Sequence, residues 1–108
     1  MEIQIKWPND IYYKKQKLGG ILVTSNYFEG QFILVIGVGL NLFNSTPTTC
    51  INDIIKQYNL SHNVNLPLIS REQLLAIILS QFELFYNELN TKGFKELEEL
   101  YYKYWLHK

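Results

Sequence analysis

A chain of 108 residues has room for one small domain. Ten basic residues balance ten acidic ones, so the net charge is zero and neither a nucleic-acid surface nor a basic tail is implied. With 47% hydrophobic residues the chain can build a core, yet no apolar run is long enough to span a membrane.

Residues 2–7 alternate, with Ile3, Ile5 and Trp7 on one face and Glu2, Gln4 and Lys6 on the other. That is the period of a half-buried strand, and it turns Lys6 toward a polar side. Pro8-Asn9-Asp10 has turn chemistry, and Ile11 to Tyr13 reads as a short returning strand. Lys14 to Lys17 reads as a polar connection, and Ile21 to Phe28 as the next strand. Glu29-Gly30 is a hairpin turn, after which Gln31 to Asn41 returns. Its run Phe32 to Ile36 is apolar without alternation, the mark of a strand covered on both faces.

Phe43 to Thr49 is a loop, Ile51 to Tyr58 a short helix, and Asn59 to Pro67 another loop. Ser70 and Gln73 have the spacing of a capping box, and an apolar stripe follows to about Leu89. After Gly93, the residues Phe94, Leu97, Leu100, Tyr101 and Tyr104 make a last amphipathic helix ending near Trp105. Strands followed by helices predict an α+β fold, a mixed or antiparallel sheet with helices packed on one face. The helices can cover one side of the apolar strand, so a further covering element or partner is expected for the other.

Cys50 is the only cysteine, which rules out an internal disulfide and fits a small buried hydrophobe in a reducing compartment. No signal sequence precedes the first strand, so a soluble, cytoplasmic protein is expected. His62 and His107 stand apart, with no His-Cys ligand spacing, no metal site and no nucleophile elbow. Chemistry by this chain would therefore rest on electrostatic positioning.

The first 22 residues suit that role. Lys6, the Pro8-Asn9-Asp10 turn, Lys17 and Gly19-Gly20 bring together two cations and two positions without side chains, as a carboxylate or phosphate site needs. Gly19-Gly20 reads equally as a bulge, but Lys17 directly before it favours the site. Gly37-Val38-Gly39-Leu40-Asn41 is no dinucleotide fingerprint, because Leu42 stands where a third glycine belongs. Asn41 either reads a flat ligand, donating and accepting at once, or serves as a turn asparagine that satisfies nearby backbone.

Three motifs together resemble the catalytic core of the biotin protein ligases, including the eukaryotic holocarboxylase synthetases. They are Lys6-Trp7-Pro8-Asn9-Asp10-Ile11, Lys17-Leu18-Gly19-Gly20-Ile21-Leu22-Val23 and Ile36-Gly37-Val38-Gly39-Leu40-Asn41. Asn44 to Asp53 and Tyr101 to Trp105 look like the eukaryotic branch. The resemblance implies that biotin and ATP, with Mg2+, form biotinyl-5′-AMP and pyrophosphate. A lysine of the biotin-carrier domain of a carboxylase then takes the biotin. It implies Lys17 as the essential lysine beside the biotin carboxylate and α-phosphate, with Gly20 and Ile21 lining the biotin chain. Asn41 would contact the adenine side, and Lys6, Asn9 and Asp10 the nucleotide end. Trp7 and the run Gly19 to Leu22 favour biotin over a lipoate ligase relative, the first alternative; a non-catalytic remnant of the fold is the second.

The family also carries a glycine- and arginine-rich loop upstream and a small C-terminal β-domain. Neither occurs in this sequence, whose only arginine is Arg71. The expectation is a partial catalytic domain over residues 1–108, with the missing half of its own domain as a further partner.

Overall fold

The computed structural model describes residues 2–44 and 48–107. Ser45, Thr46 and Pro47, which fall in the expected loop and in the eukaryotic-like stretch, lie outside the described residues. Four strands form an antiparallel meander in chain order: β1 (Ile3–Lys6), β2 (Asp10–Tyr13), β3 (Gln16–Phe28) and β4 (Gln31–Leu40). Three helices follow among the described residues, α1 (Ile51–His62), α2 (Arg71–Lys92) and α3 (Lys95–Lys103), giving an α+β fold.

The main departure from expectation lies between β2 and β3. Lys14 and Lys15, expected in a polar connection, form a two-residue turn with φ of 46° and 66°, and Gln16 already pairs with Tyr13. Positive φ at both central residues is what a tight hairpin of this hand requires. Two lysines there carry none of the Asn-Gly chemistry that would announce it. β3 therefore starts at Gln16 rather than Ile21, and Lys17, Gly19 and Gly20 belong to a strand. The register shifts beside Ile11, which pairs with Gly19 while its neighbour Tyr12 pairs with Lys17, leaving Leu18 as the extra residue of a bulge. The expected turn at Glu29-Gly30 is present, with φ of 48° and 79°.

The bulge directs Leu18 into the core. Leu18, Tyr13 and Ile54 are buried together, flanked by Ile11, Leu40 and Ile51, so α1 docks on this face of the sheet. Cys50 is fully buried just before α1, as expected of a small hydrophobe. α1 runs past the expected Tyr58 to His62, where Asn63 caps it in the left-handed conformation and donates its N–H to the Asn59 carbonyl. Two asparagines a heptad apart on α1 fasten the following loop. Asn52 donates to the Ile69 carbonyl at 3.0 Å and accepts from the Ile69 N–H at 2.8 Å. Asn59 does the same with Leu66, at 3.0 and 2.9 Å.

The capping box at Ser70 and Gln73 is formed in both directions, at 3.2 and 2.9 Å. α2 continues to Lys92, packs against α3, and buries none of its residues. Beyond α3 the chain runs alongside β1. Tyr104 accepts from the Ile5 N–H, and the Leu106 N–H donates to the Ile5 carbonyl, each at 2.8 Å. The edge of β1 is thus closed by residues far away in sequence. The cover expected from the helices on one side of the Phe32 to Ile36 run is not found among the described residues: Phe32 is 73% exposed on one face and Val35 59% on the other. No helix among the described residues is long and apolar enough to cross a membrane.

Candidate active site

Strand register decides which side chains share a face. One row across the sheet reads Lys6, Asp10, Gly20, Gly39, and the next reads Gln4, Tyr12, Lys17. Alternation places all of these opposite Ile3, Ile5, Ile11 and the helices packed on them. The polar residues of three strands and the glycines of two thus meet on the side that α1 and α3 leave clear.

Lys17 Nζ lies 3.3 Å from Asp10 Oδ1, and its side chain remains 49% exposed. A pair this open to water adds little to stability. Its effect is to aim an ammonium that a ligand can still reach. Gly20 lies beneath both groups. A Cβ there would fall 3.3 Å from Asp10 Oδ1 and from the Asn9 carbonyl, and 3.9 Å from Lys17 Cε. Gly19 answers to a different need, since a Cβ on it would collide with the Gly39 carbonyl. At Gly39 a Cβ would meet nothing within 4 Å among the described residues, so their packing does not call for glycine there. What its hydrogen leaves is open room beside the backbone.

Lys17, Gly20, Gly39 and Asn41 line one cleft of about 610 Å³, with Thr48 at its margin. Lys17 and Asn41, far apart in the sequence, are brought together because β3 and β4 pair so that Asn41 N donates to the Leu18 carbonyl at 2.9 Å. Both amide hydrogens of Asn41 are engaged, by Thr48 Oγ1 at 3.1 Å and the Thr49 carbonyl at 3.2 Å. The sequence left open a ligand reader or a residue that satisfies backbone. Asn41 does the second with its nitrogen and keeps Oδ1, an acceptor, free of hydrogen bonds among the described residues.

Of the remaining expected residues, Lys6 lies on the same face but leans on Tyr12, 3.4 Å from its hydroxyl. Asn9 contributes its backbone, accepting from the Ile21 N–H at 2.9 Å. Ile21 is not brought to the cleft. Strand alternation turns it to the opposite face, where it lines a cavity of about 740 Å³ with Ile3, Ile5, Tyr101 and Tyr104. The neighbour that shares the face of Gly20 is Leu22. A second large cavity, about 840 Å³ and walled by Trp7, Phe94 and Trp105, lies beside α3. Among the described residues neither of these larger cavities has a lysine or arginine in its wall, so an anion fits the smaller cleft. Gly39 belongs to the Gly37 to Asn41 motif already noted in the sequence, whereas Tyr12 and Thr48 were not singled out there. Of these two only Tyr12 carried a signal, since it has the same strand parity as Lys6 and Asp10.

Residues 1–41, which contain every described strand and every residue of the lysine cluster, match the biotin/lipoate A/B protein ligase family. Across 98% of its length the chain is 45% identical to biotin-protein ligase 2 of Arabidopsis thaliana, covering 31% of that protein. Across 99% of its length it is 41% identical to the biotin-protein ligase of Homo sapiens, covering 15%. Over nearly its whole length the chain is similar to biotin-protein ligases. It spans less than a third of the length of these relatives. A shorter match, 43% identity over 42 residues, joins it to the bifunctional ligase/repressor BirA of Escherichia coli. The likeness to the biotin-protein ligases thus extends beyond the strands to the helices that hold the sheet from behind.

Proposed function

We propose that this chain supplies the lysine cleft of a biotin-protein ligase. In that reading a biotin carboxylate oxygen attacks the α-phosphorus of ATP, delivered with Mg2+, and the bond to the β-phosphate oxygen breaks. The products are biotinyl-5′-AMP and pyrophosphate. A lysine amine of a biotin-carrier domain then attacks the biotinyl carbonyl, forming an amide and releasing AMP. Lys17 is the group that meets the biotin carboxylate and the α-phosphate, where negative charge gathers in the first step. Asp10 orients it. Gly20 and Gly39 let biotin and the nucleotide lie against the sheet, and Asn41 Oδ1 accepts from the exocyclic amine of adenine. Lys6 and Asn9 border the phosphate end. A cytoplasmic setting suits the free thiol of Cys50.

The observation that carries this reading is the convergence of Lys17 and Asn41 on one glycine-floored cleft. Because the relatives are more than three times as long, the activity is assigned to a complete ligase, in which this segment is joined by the rest of its domain. In a complete ligase carrying this segment, Lys17→Ala should lower biotinyl-5′-AMP formation by about 10²–10³. An unchanged rate would remove Lys17 from the mechanism. Titration calorimetry with biotin and with lipoate then separates the two branches of the family.

A further inference from the structure

Lys6 and Asp10 are direct cross-strand partners, the position in which opposite charges normally meet. They do not pair. Asp10 reaches diagonally to Lys17, while no described carboxylate lies within ion-pair distance of Lys6. Lys6 Nζ instead lies 3.4 Å from the Tyr12 hydroxyl and 5.0 Å from the centroid of the Tyr12 ring. Tyr12 occupies the row next to the Lys6–Asp10 row, paired with Lys17 on one side and Gln4 on the other.

We propose that Tyr12 is a positioning residue that partitions charge in the site, holding Lys6 away from Asp10 so that Asp10 is free to hold Lys17. The phenol offers an ammonium both a ring face and an oxygen lone pair without neutralising it. Lys17 is thereby the aimed cation of the site, and Lys6 the one whose charge no described carboxylate offsets. Take Tyr12 away and Lys6 falls onto its cross-strand neighbour. One carboxylate must then serve two ammoniums, and Lys17 loses its aim. The ligand for the uncompensated Lys6 is a polyphosphate, with pyrophosphate as its smallest form. This last step rests on the ligase reading, whereas the partition itself does not.

Two measurements on the full chain keep those apart. The first uses no ligand: acetic anhydride labels lysine amines, and mass spectrometry gives the Lys6 and Lys17 rates separately. A carboxylate held against an ammonium shields it from the reagent and slows labelling. In Tyr12→Leu the Lys6 rate should fall and the Lys17 rate rise, changing their ratio by about two- to fivefold, the span an exposed pair is worth. Tyr12→Phe keeps the ring and should shift the ratio less. A merely structural role would move both rates in one direction, and a constant ratio in folded Tyr12→Leu overturns the proposal. The second is pyrophosphate binding by calorimetry, comparing Tyr12→Leu in the native and Lys6→Met backgrounds. Weakening only where Lys6 is present supports the proposal, and equal weakening in both overturns it. If the native chain does not bind pyrophosphate, the polyphosphate assignment falls, and the labelling ratio still decides the role of Tyr12.

Discussion

The two ends of the β3–β4 pair are built from similar residues and arranged in opposite ways. Near Gly20 and Gly39 the sheet is backed by α1, broken by a bulge, and dressed on its open face with paired or propped side chains. Toward Phe28 and Gln31 the same two strands continue as a regular ladder with apolar residues exposed on both sides, from Val23 at 51% to Phe32 at 73%. The regular end has the better hydrogen-bond ladder; the irregular end has the candidate site. The chemistry proposed there depends on departures from regularity, namely a bulge that sinks Leu18, glycines that clear the floor, and charges paired across a diagonal. Those departures are tolerated where α1 packs behind them.

If that division is right, stability should be concentrated at the irregular end. Leu18 is 1% exposed and is the residue that the bulge turns inward against Ile54 and Tyr13. Leu18→Ala should destabilise the chain by about 2–5 kcal/mol, the usual cost of such a cavity. Urea unfolding of the two proteins measures it. A loss below about 1 kcal/mol would mean that the site end is not anchored by this cluster, and the comparison would break at its base.

Most of the architecture was legible because it rests on local rules. Period-two alternation gave β1, Glu29-Gly30 gave the long hairpin, and Ser70 with Gln73 gave the start of α2. Lys17, Asp10 and Gly20 were legible as a group because they are close in sequence and chemically unusual together. What was hidden depends on pairing at a distance. The direction of Ile21 could not be known without the start of β3, and that start depends on a turn made by two lysines. The engagement of the Asn41 amide by Thr48 and Thr49 needs the path of the intervening loop. The closure of β1 by Tyr104 and Leu106 joins opposite ends of the chain.

The lysine turn gives a sharper and smaller test of the same division. Lys15 has φ of 66°, a conformation that costs an L residue about 1–2 kcal/mol. Lys15→Gly removes that strain but adds freedom to the unfolded chain worth about 0.5–1 kcal/mol. The net expectation is a gain of about 0.5 kcal/mol, read as a higher urea midpoint. The turn sets the register that brings Lys17 opposite Tyr12. An unchanged Lys6 to Lys17 labelling ratio in Lys15→Gly would therefore show that the register, and not the lysines of the turn, carries the arrangement.

The smallest effect on stability is expected at the other end, where its absence is the informative outcome. Val35 is 59% exposed, pairs with Thr24, and lies on the same sheet face as Lys17 but far from it along the strands. Replacing it by lysine removes little buried surface, so Val35→Lys should change stability by no more than about 0.5 kcal/mol. A bare apolar strand tends to associate with whatever apolar surface it meets, and a charge on it opposes that association. Sedimentation should then show a smaller share of associated material for Val35→Lys at equal concentration, with an unaltered urea midpoint. A loss of 2 kcal/mol or more would mean that Val35 is packed in the free chain (such a loss belongs to buried positions), and the contrast between a built end and a bare end would not hold.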